Sequence, residues 1–251
     1  MTREQRTVFG EVAELYERTR PGYPDGLFDA VLEFGDLHPG DRALEVGAGT
    51  GKATRGFIAR GLDVLALEPA PGMADVLRQS YASVIETKFE DWTVEPGAFE
   101  LLYAAQSWHW VEDHPAAYAR AADALRDGGT IALFWNLPRE FDGALGADIQ
   151  AVYRDLAPTL EPLTTQWPLD ETLAEIDASD RFDIATKVTV PWTQPYSRAE
   201  YVELMGTHSN HRMLDDATRA QIQAAVGAVI DRHGGAVAVT YDTAVYLARK
   251  L

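Results

Sequence analysis

The sequence predicts an α/β fold built on a doubly wound, mostly parallel sheet of seven strands, and three observations predict it. The first is Ala43-Leu44-Glu45-Val46-Gly47-Ala48-Gly49-Thr50-Gly51-Lys52, where four residues of strand character run into glycines at alternate positions and Ala53, Phe57 and Ile58 then recur at helical spacing. The second is the short apolar run Val64-Leu65-Ala66-Leu67, the pattern of a strand buried on both faces, with further runs at 99–105 and 130–135. The third is that segments of helical spacing separate these runs, so strand and helix alternate as a parallel sheet requires.

Taken in order, Val8 to Arg20 has helical spacing until Pro21 stops it. Asp25 is expected to cap a helix that buries Leu27, Phe28, Val31, Leu32 and Phe34, ended by Gly35 and the Pro39-Gly40 turn. The glycine stretch and the run ending at Glu68 follow. A helix from Pro69 to about Tyr81 leads to a strand at 83–87, a strand at 99–105, a helix at 116–125 and, after the turn Asp127-Gly128-Gly129, a strand at 130–135. Residues 140–182 have helical spacing broken by Pro158, Pro162 and Pro168, which predicts a helical insertion over the pocket rather than a second domain. Ile184 to Trp192 alternates as a strand, helices are expected at 197–205 and 215–232, and 237–247 reads as the last strand. One domain results: residues 1–40 as an N-terminal cap and first helix, 41–139 as the ligand-binding core, 140–182 as the insertion and 183–251 as the C-terminal strands and helices.

Composition narrows the function classes. With 251 residues, 46% hydrophobic and 24% charged, the chain is of globular type, and no apolar run approaches the roughly 18 residues a membrane span needs. Its start lacks the apolar core of a signal peptide, so a soluble, cytoplasmic protein is expected, as a monomer or homodimer. No cysteine is present, which excludes disulfides, thiolate metal sites and cysteine nucleophiles, and no metal is expected. The net charge of −17 repels polyanions and argues against a nucleic-acid substrate.

A strand feeding a glycine turn feeding a helix is a ligand cradle, since glycine lets a ligand approach the main chain and the helix start offers free N–H groups. A dinucleotide fingerprint wants G-x-G-x-x-G, but the third glycine comes one residue early here; no Gly-Lys-Ser/Thr follows at P-loop distance. Glu68, 17 residues beyond Gly51, lies near the distance at which nucleoside-binding α/β folds place an acid on the ribose hydroxyls.

The pattern Glu45-x-Gly47-x-Gly49-x-Gly51 resembles the first motif of the class I S-adenosylmethionine (SAM)-dependent methyltransferases. Gln106-Ser107-Trp108-His109-Trp110 resembles the Gln-Ser/Ala-x-His-Trp signature of the type 11 group that includes the trans-aconitate and ubiquinone-pathway-like enzymes. Nucleic-acid amino-methylating enzymes carry Asn/Asp-Pro-Pro-Tyr/Phe there, and this chain does not. The resemblance runs from about Val8 to Phe134, more weakly to the end, and implies a Rossmann-like methyltransferase fold whose sheet ends in an antiparallel strand. It implies SAM as cofactor, held by Glu45, Gly47, Ala48, Gly49, Thr50, Gly51, Glu68, Pro69 and Met73, with Ala105 and Gln106 at the end of the fourth strand. Phe89 and Glu90 would border the adenine, with Asp91 as the alternative to Glu90. Tyr16, Arg20 and Tyr23, in an arm containing Arg20-Pro21-Gly22-Tyr23-Pro24, would close over cofactor and substrate.

The acceptor is then expected to be a small molecule. A base would help a hydroxyl or protonated acid react, and His109 is the candidate because an imidazole titrates near neutral pH. Trp108 and Trp110 would face the reacting cation. His208, His211 and Arg212 fall at i, i+3 and i+4 and, with Arg139 and Arg20, would clamp a carboxylate-bearing acceptor. The competing readings are a SAM-binding protein without catalysis, acting in regulation, and a nicotinamide-dependent oxidoreductase, disfavoured by the glycine spacing and the lack of a Tyr-x-x-x-Lys.

Overall fold

In a computed structural model, which describes residues 13–81, 83–160 and 169–251, the strands are β1 (Arg42–Val46), β2 (Asp63–Leu67), β3 (Val84–Ile85), β4 (Phe99–Ala105), β5 (Leu125–Pro138), β6 (Thr186–Ser197) and β7 (Ala236–Arg249). They form one seven-stranded sheet of order β3-β2-β1-β4-β5-β7-β6. Pairs from β3 through β5 are parallel, and β7 runs antiparallel to both β5 and β6. The expected seven-stranded, doubly wound sheet with an antiparallel C-terminal strand is therefore present.

Helices α1 (Ala13–Thr19), α2 (Asp25–Gly35), α3 (Lys52–Ile58), α4 (Pro71–Arg78) and α5 (His114–Ala124) interleave with the first five strands. After β5 come α6 (Gly143–Leu156) and α7 (Leu169–Ala178), and between β6 and β7 come α8 (Arg198–Met205), α9 (Ser209–Arg212) and α10 (Asp216–Arg232).

Side chains on a strand alternate between faces, and β4 shows the consequence. Leu101 and Tyr103 face a layer made with Leu27, Phe28 and Val31 of α2 and Phe57 of α3. Leu102 and Ala104 face the opposite layer, with Ala117, Tyr118 and Ala121 of α5 and Ile176 of α7. Both faces are covered, which is why these strands read as unbroken apolar runs. A third cluster joins Ile149 of α6 to Ile222, Val226 and Ile230 of α10 and Tyr241 of β7.

The chain winds outward from β1 to β3, then returns to place β4 on the other side of β1. In open α/β sheets the crevice at such a reversal, beyond the carboxyl ends of the strands, is where ligands bind. Gly47 follows β1 and Gln106 follows β4, so both glycine turn and Gln106 loop open onto it.

Several expectations change. Asp25 sits in the first turn of α2 rather than at its cap, which is Pro24, and its carboxylate is taken by Arg60 at 2.9 Å. The third strand shrinks to two residues, since only Val84 and Ile85 find partners on β2. The Asp127-Gly128-Gly129 turn is absorbed into β5 as an irregularity, with the partners of Phe99 and Leu101 slipping from Leu125 to Thr130. The described parts of the insertion do not line the crevice. Apolar residues on α6 carry it onto α10, and α7 packs on α5 and β7. Val8 to Val12, Pro162 and Pro168 lie outside the described residues. No helix among the described residues is long and apolar enough to cross a membrane.

Candidate functional site

The turn after β1 is tied down from both sides. The N–H groups of Gly47 and Ala48 both donate to the Leu67 carbonyl at 2.9 and 3.0 Å, which fixes the turn against the end of β2. Gly49 N–H donates to Glu68 Oε2 and Ala70 N–H to Glu68 Oε1, each at 2.7 Å. Glu68 is only 6% exposed. Burial pushes its pKa up to about 7, against the pull of those two N–H donors.

Glu45 lies beneath the turn, fully buried. Its Oε2 accepts from the hydroxyls of Thr54 at 2.5 Å and Tyr103 at 2.8 Å. Burial pushes its pKa up to about 8, so the carboxyl is mostly protonated at neutral pH and works as a brace joining β1, α3 and β4. The glycines divide by role. A Cβ on Gly49 (φ +59°) would meet no protein atom within 4 Å, because open cavity lies there, whereas one on Gly51 (φ +88°) would run into Leu77 Cδ1. Gly49 thus borders ligand space, while Gly51 lets α3 pack against α4.

A cavity of about 150 Å³ follows this turn, walled by Gly47, Gly49, Glu68, Pro69, Met73, Phe89, Glu90, Ala105, Gln106 and His109, with Tyr16 and Arg20 of the arm across it. It adjoins a narrower pocket of about 40 Å³ that shares Tyr16, Arg20, Gly47, Gly49 and Gln106 and adds Tyr23, Glu45, Ala48, Thr50 and Lys52. Seventeen positions expected from the sequence therefore meet in one place. Glu90 lines the cavity and Asp91 does not; Glu90 Oε1 accepts from the Glu112 N–H at 2.6 Å. Lys52, Lys88, Ser107 and Val111 also line these pockets and were not expected there.

The arm is latched. Arg55 reaches Glu17 Oε1 at 2.7 Å, Lys52 Nζ donates to the Glu17 carbonyl at 2.7 Å, and Asn136 Nδ2 donates to the Gly22 carbonyl at 2.9 Å. Arg20 donates from Nε to Thr207 Oγ1 (2.8 Å) and from Nη2 to the Thr207 carbonyl (3.0 Å), with its guanidinium over the Tyr16 ring. Among the described residues it makes no ion pair, so a cation faces the junction of the two pockets with its charge uncompensated.

Six expected site residues stand elsewhere. Trp108 is 1% exposed and packs against Phe89 and Tyr118, because Trp108–Trp110 forms a single 3₁₀ turn that sends the first tryptophan inward and leaves His109 and Trp110 at the cavity. Arg139 is held bidentately by Asp242 at 2.7 and 2.8 Å, which neutralises it. His208 is buried, and His211 is buried against Tyr153; burial and nearby arginines hold both imidazoles neutral, His211 with a pKa pushed down to about 4. Arg212 lines none of these pockets. The clamp expected of these four residues is therefore not assembled, and Arg20 is the member that reaches the cavity. Gly51 is the sixth, for the reason already given.

His109 accepts from Trp135 Nε1 through Nδ1 at 3.2 Å. Burial, and secondarily His114, push its pKa down to about 3, so it is a neutral hydrogen-bonding wall at physiological pH.

These features fit a nucleoside with a charged amino-acid tail: a buried carboxylate for sugar hydroxyls, an apolar slot at Met73, Phe89 and Val111, open main chain at Gly49 and an unpaired guanidinium. Comparison with known proteins agrees. The family model described as "Methyltransferase domain" matches residues 44–133. An uncharacterised methyltransferase of Mycobacterium tuberculosis is 36% identical over 172 residues, covering 65% of this chain and 68% of that one. A structure described as a type II methyltransferase from Anaeromyxobacter dehalogenans superposes with a TM-score of 0.67 at 22% identity, over 92% of this chain and 97% of that one. Phosphoethanolamine N-methyltransferase 2 of Haemonchus contortus, solved with S-adenosylhomocysteine, gives a TM-score of 0.57 at 14% identity over 96% of this chain and 57% of that one. At those identities the two structures show the shared fold. The chain belongs to the class I SAM-dependent methyltransferases.

Proposed function

We propose that SAM sits along the Gly47–Gly49 turn, with its ribose on Glu68, its base in the slot of Met73, Phe89 and Val111, and its carboxylate facing Arg20. The acceptor is a small molecule entering beside His109 and Trp110, and its reacting atom is already a nucleophile at neutral pH, a carboxylate oxygen being the simplest case. When bound, SAM supplies an activated methyl group, so the protein's task is orientation, worth roughly 7–11 kcal/mol at best.

The observation that carries the cofactor reading is Glu68. Each of its oxygens already accepts one N–H, which fixes the carboxylate plane, and each keeps a further lone pair beside the cavity for a vicinal diol. The acceptor reading follows from His109, whose neutral, weakly basic ring removes the one candidate base. Glu68 is committed to the ribose in this reading, and Glu90 is held at Oε1 by the Glu112 N–H.

The test has two parts. Calorimetric titration with S-adenosylhomocysteine should give saturable binding that Glu68→Ala weakens at least tenfold; equal binding by the variant removes the ribose assignment. Transfer of labelled methyl to a panel of small carboxylates, phenols and amines at pH 7 should favour the carboxylates. A preference for phenols protonated at that pH would contradict base-free transfer.

A further inference from the structure

A second cavity, of about 340 Å³, lies among α6, the Pro138–Phe141 segment and the α8–α9 region. It shares no lining residue with the two pockets at the glycine turn, and its size falls in the ~300–1,000 Å³ range of small-molecule sites. Three rings, Phe141, Tyr153 and Tyr201, line it together with Ile149 and Val239.

One polar pair is set into these walls. Tyr153 Oη and His211 Nε2 lie 3.2 Å apart, and His211 is 1% exposed, its Nδ1 lacking a hydrogen-bond partner among the described residues. Leaving a buried ring nitrogen so is unfavourable, and a bound hydroxyl would offset it. His211 is fixed in place, since Asn210 Oδ1 accepts its main-chain N–H at 2.8 Å. Among the charged residues lining the cavity, Arg139 is bound by Asp242, Glu140 accepts from Gln150 Nε2 at 3.3 Å, and Arg154 is exposed. The same burial that keeps His211 uncharged would disfavour a charged guest.

We propose that this cavity is a second small-molecule site, separate from the transfer site, which takes a neutral aromatic compound bearing one hydroxyl and recognises that hydroxyl through Tyr153 and His211. Ring faces supply the apolar contact and the polar pair supplies orientation. The proposal does not depend on the cofactor assignment.

The probe is 2-naphthol, followed by its own fluorescence, with naphthalene as the partner lacking the hydroxyl. With the protein saturated in S-adenosylhomocysteine, 2-naphthol should bind at one saturable site and about five- to tenfold tighter than naphthalene, the value of one hydrogen bond. Ile149→Trp, which fills the cavity, should weaken both probes at least tenfold while leaving the melting shift caused by S-adenosylhomocysteine intact. Tyr153→Phe, which keeps the ring, should bring the two probes to nearly equal affinity and leave naphthalene unchanged. Displacement of 2-naphthol by S-adenosylhomocysteine, unaltered binding in Ile149→Trp, or a preserved hydroxyl preference in Tyr153→Phe would each overturn the proposal. Titration repeated without the nucleoside gives the same reading should the nucleoside itself fail to bind.

Discussion

Two alanine substitutions two residues apart should separate folding from binding. Both Gly49 (φ +59°) and Gly51 (φ +88°) hold a left-handed backbone, which costs an L-residue about 1–2 kcal/mol. At Gly51 the added methyl also meets Leu77 Cδ1, a fully buried side chain, and overpacking of that kind adds about 1–3 kcal/mol. Gly51→Ala should therefore lose about 2–5 kcal/mol, lowering Tm by roughly 4–20 °C for a domain of this size. Gly49→Ala should lose only the backbone part, because nothing lies within 4 Å of its Cβ. Differential scanning fluorimetry with and without S-adenosylhomocysteine reads both effects. The expected result is a crossover: Gly49→Ala melts near the wild type but shows no stabilisation by the nucleoside, whereas Gly51→Ala melts low and keeps the increment. A normal increment in Gly49→Ala would refute the placement of ligand space, and a wild-type Tm in Gly51→Ala would refute the packing argument.

Glu45, with its pKa raised to about 8 from 4.5, gives a pH dependence of definite sign. The folded state keeps a proton that the unfolded chain has released, so this contribution is full below about pH 4.5, falls as pH rises toward 8 and is flat above, by about 1.4 kcal/mol per pH unit within the window. Tm measured across pH 5–8 should fall less steeply in Glu45→Gln than in the wild type, and equal slopes would contradict the buried proton. His109→Gln should lower kcat by less than about tenfold and leave the pH–rate profile in place, whereas loss of a working base would cost 10²–10⁴. Trp108→Ala should cost about 3–5 kcal/mol of stability measured by urea unfolding, as expected of a core aromatic. Trp110→Ala should leave the unfolding midpoint near that of the wild type and raise the acceptor KM instead.

The sheet was readable from the sequence where burial on both faces left unbroken apolar runs. β4 has the bounds expected of it, and β1 and β2 differ by a residue. β3 was not, since an edge strand with two paired residues carries too little periodicity to show its length. The cradle was readable for a different reason: Glu45, Gly47, Gly49 and Gly51 act within seven positions, where backbone geometry alone links spacing to shape. Ser107 was missed, and Trp108 and Trp110 could not be told apart, because strand-end residues turn with the 3₁₀ geometry of 108–110, which no pattern of two tryptophans and a histidine announces.

Charge placement was the part the sequence concealed. Arg139 looked available until the β5–β7 register set Leu137 beside Asp242, a partner 103 positions away. His208 and His211 do share a face, as their spacing implied, but that face turns inward, and burial takes away the charge that a clamp would need. Arg20 goes the opposite way: its partner is the neutral Thr207, 187 positions away, so its charge survives into the cavity. A cation's value to a site depends on whether the fold pairs it, and pairing across 100 or more residues is decided by strand register and helix docking. Local spacing could therefore nominate the cradle proposed for the nucleoside, while only the folded chain could decide which arginine remains to meet an anion.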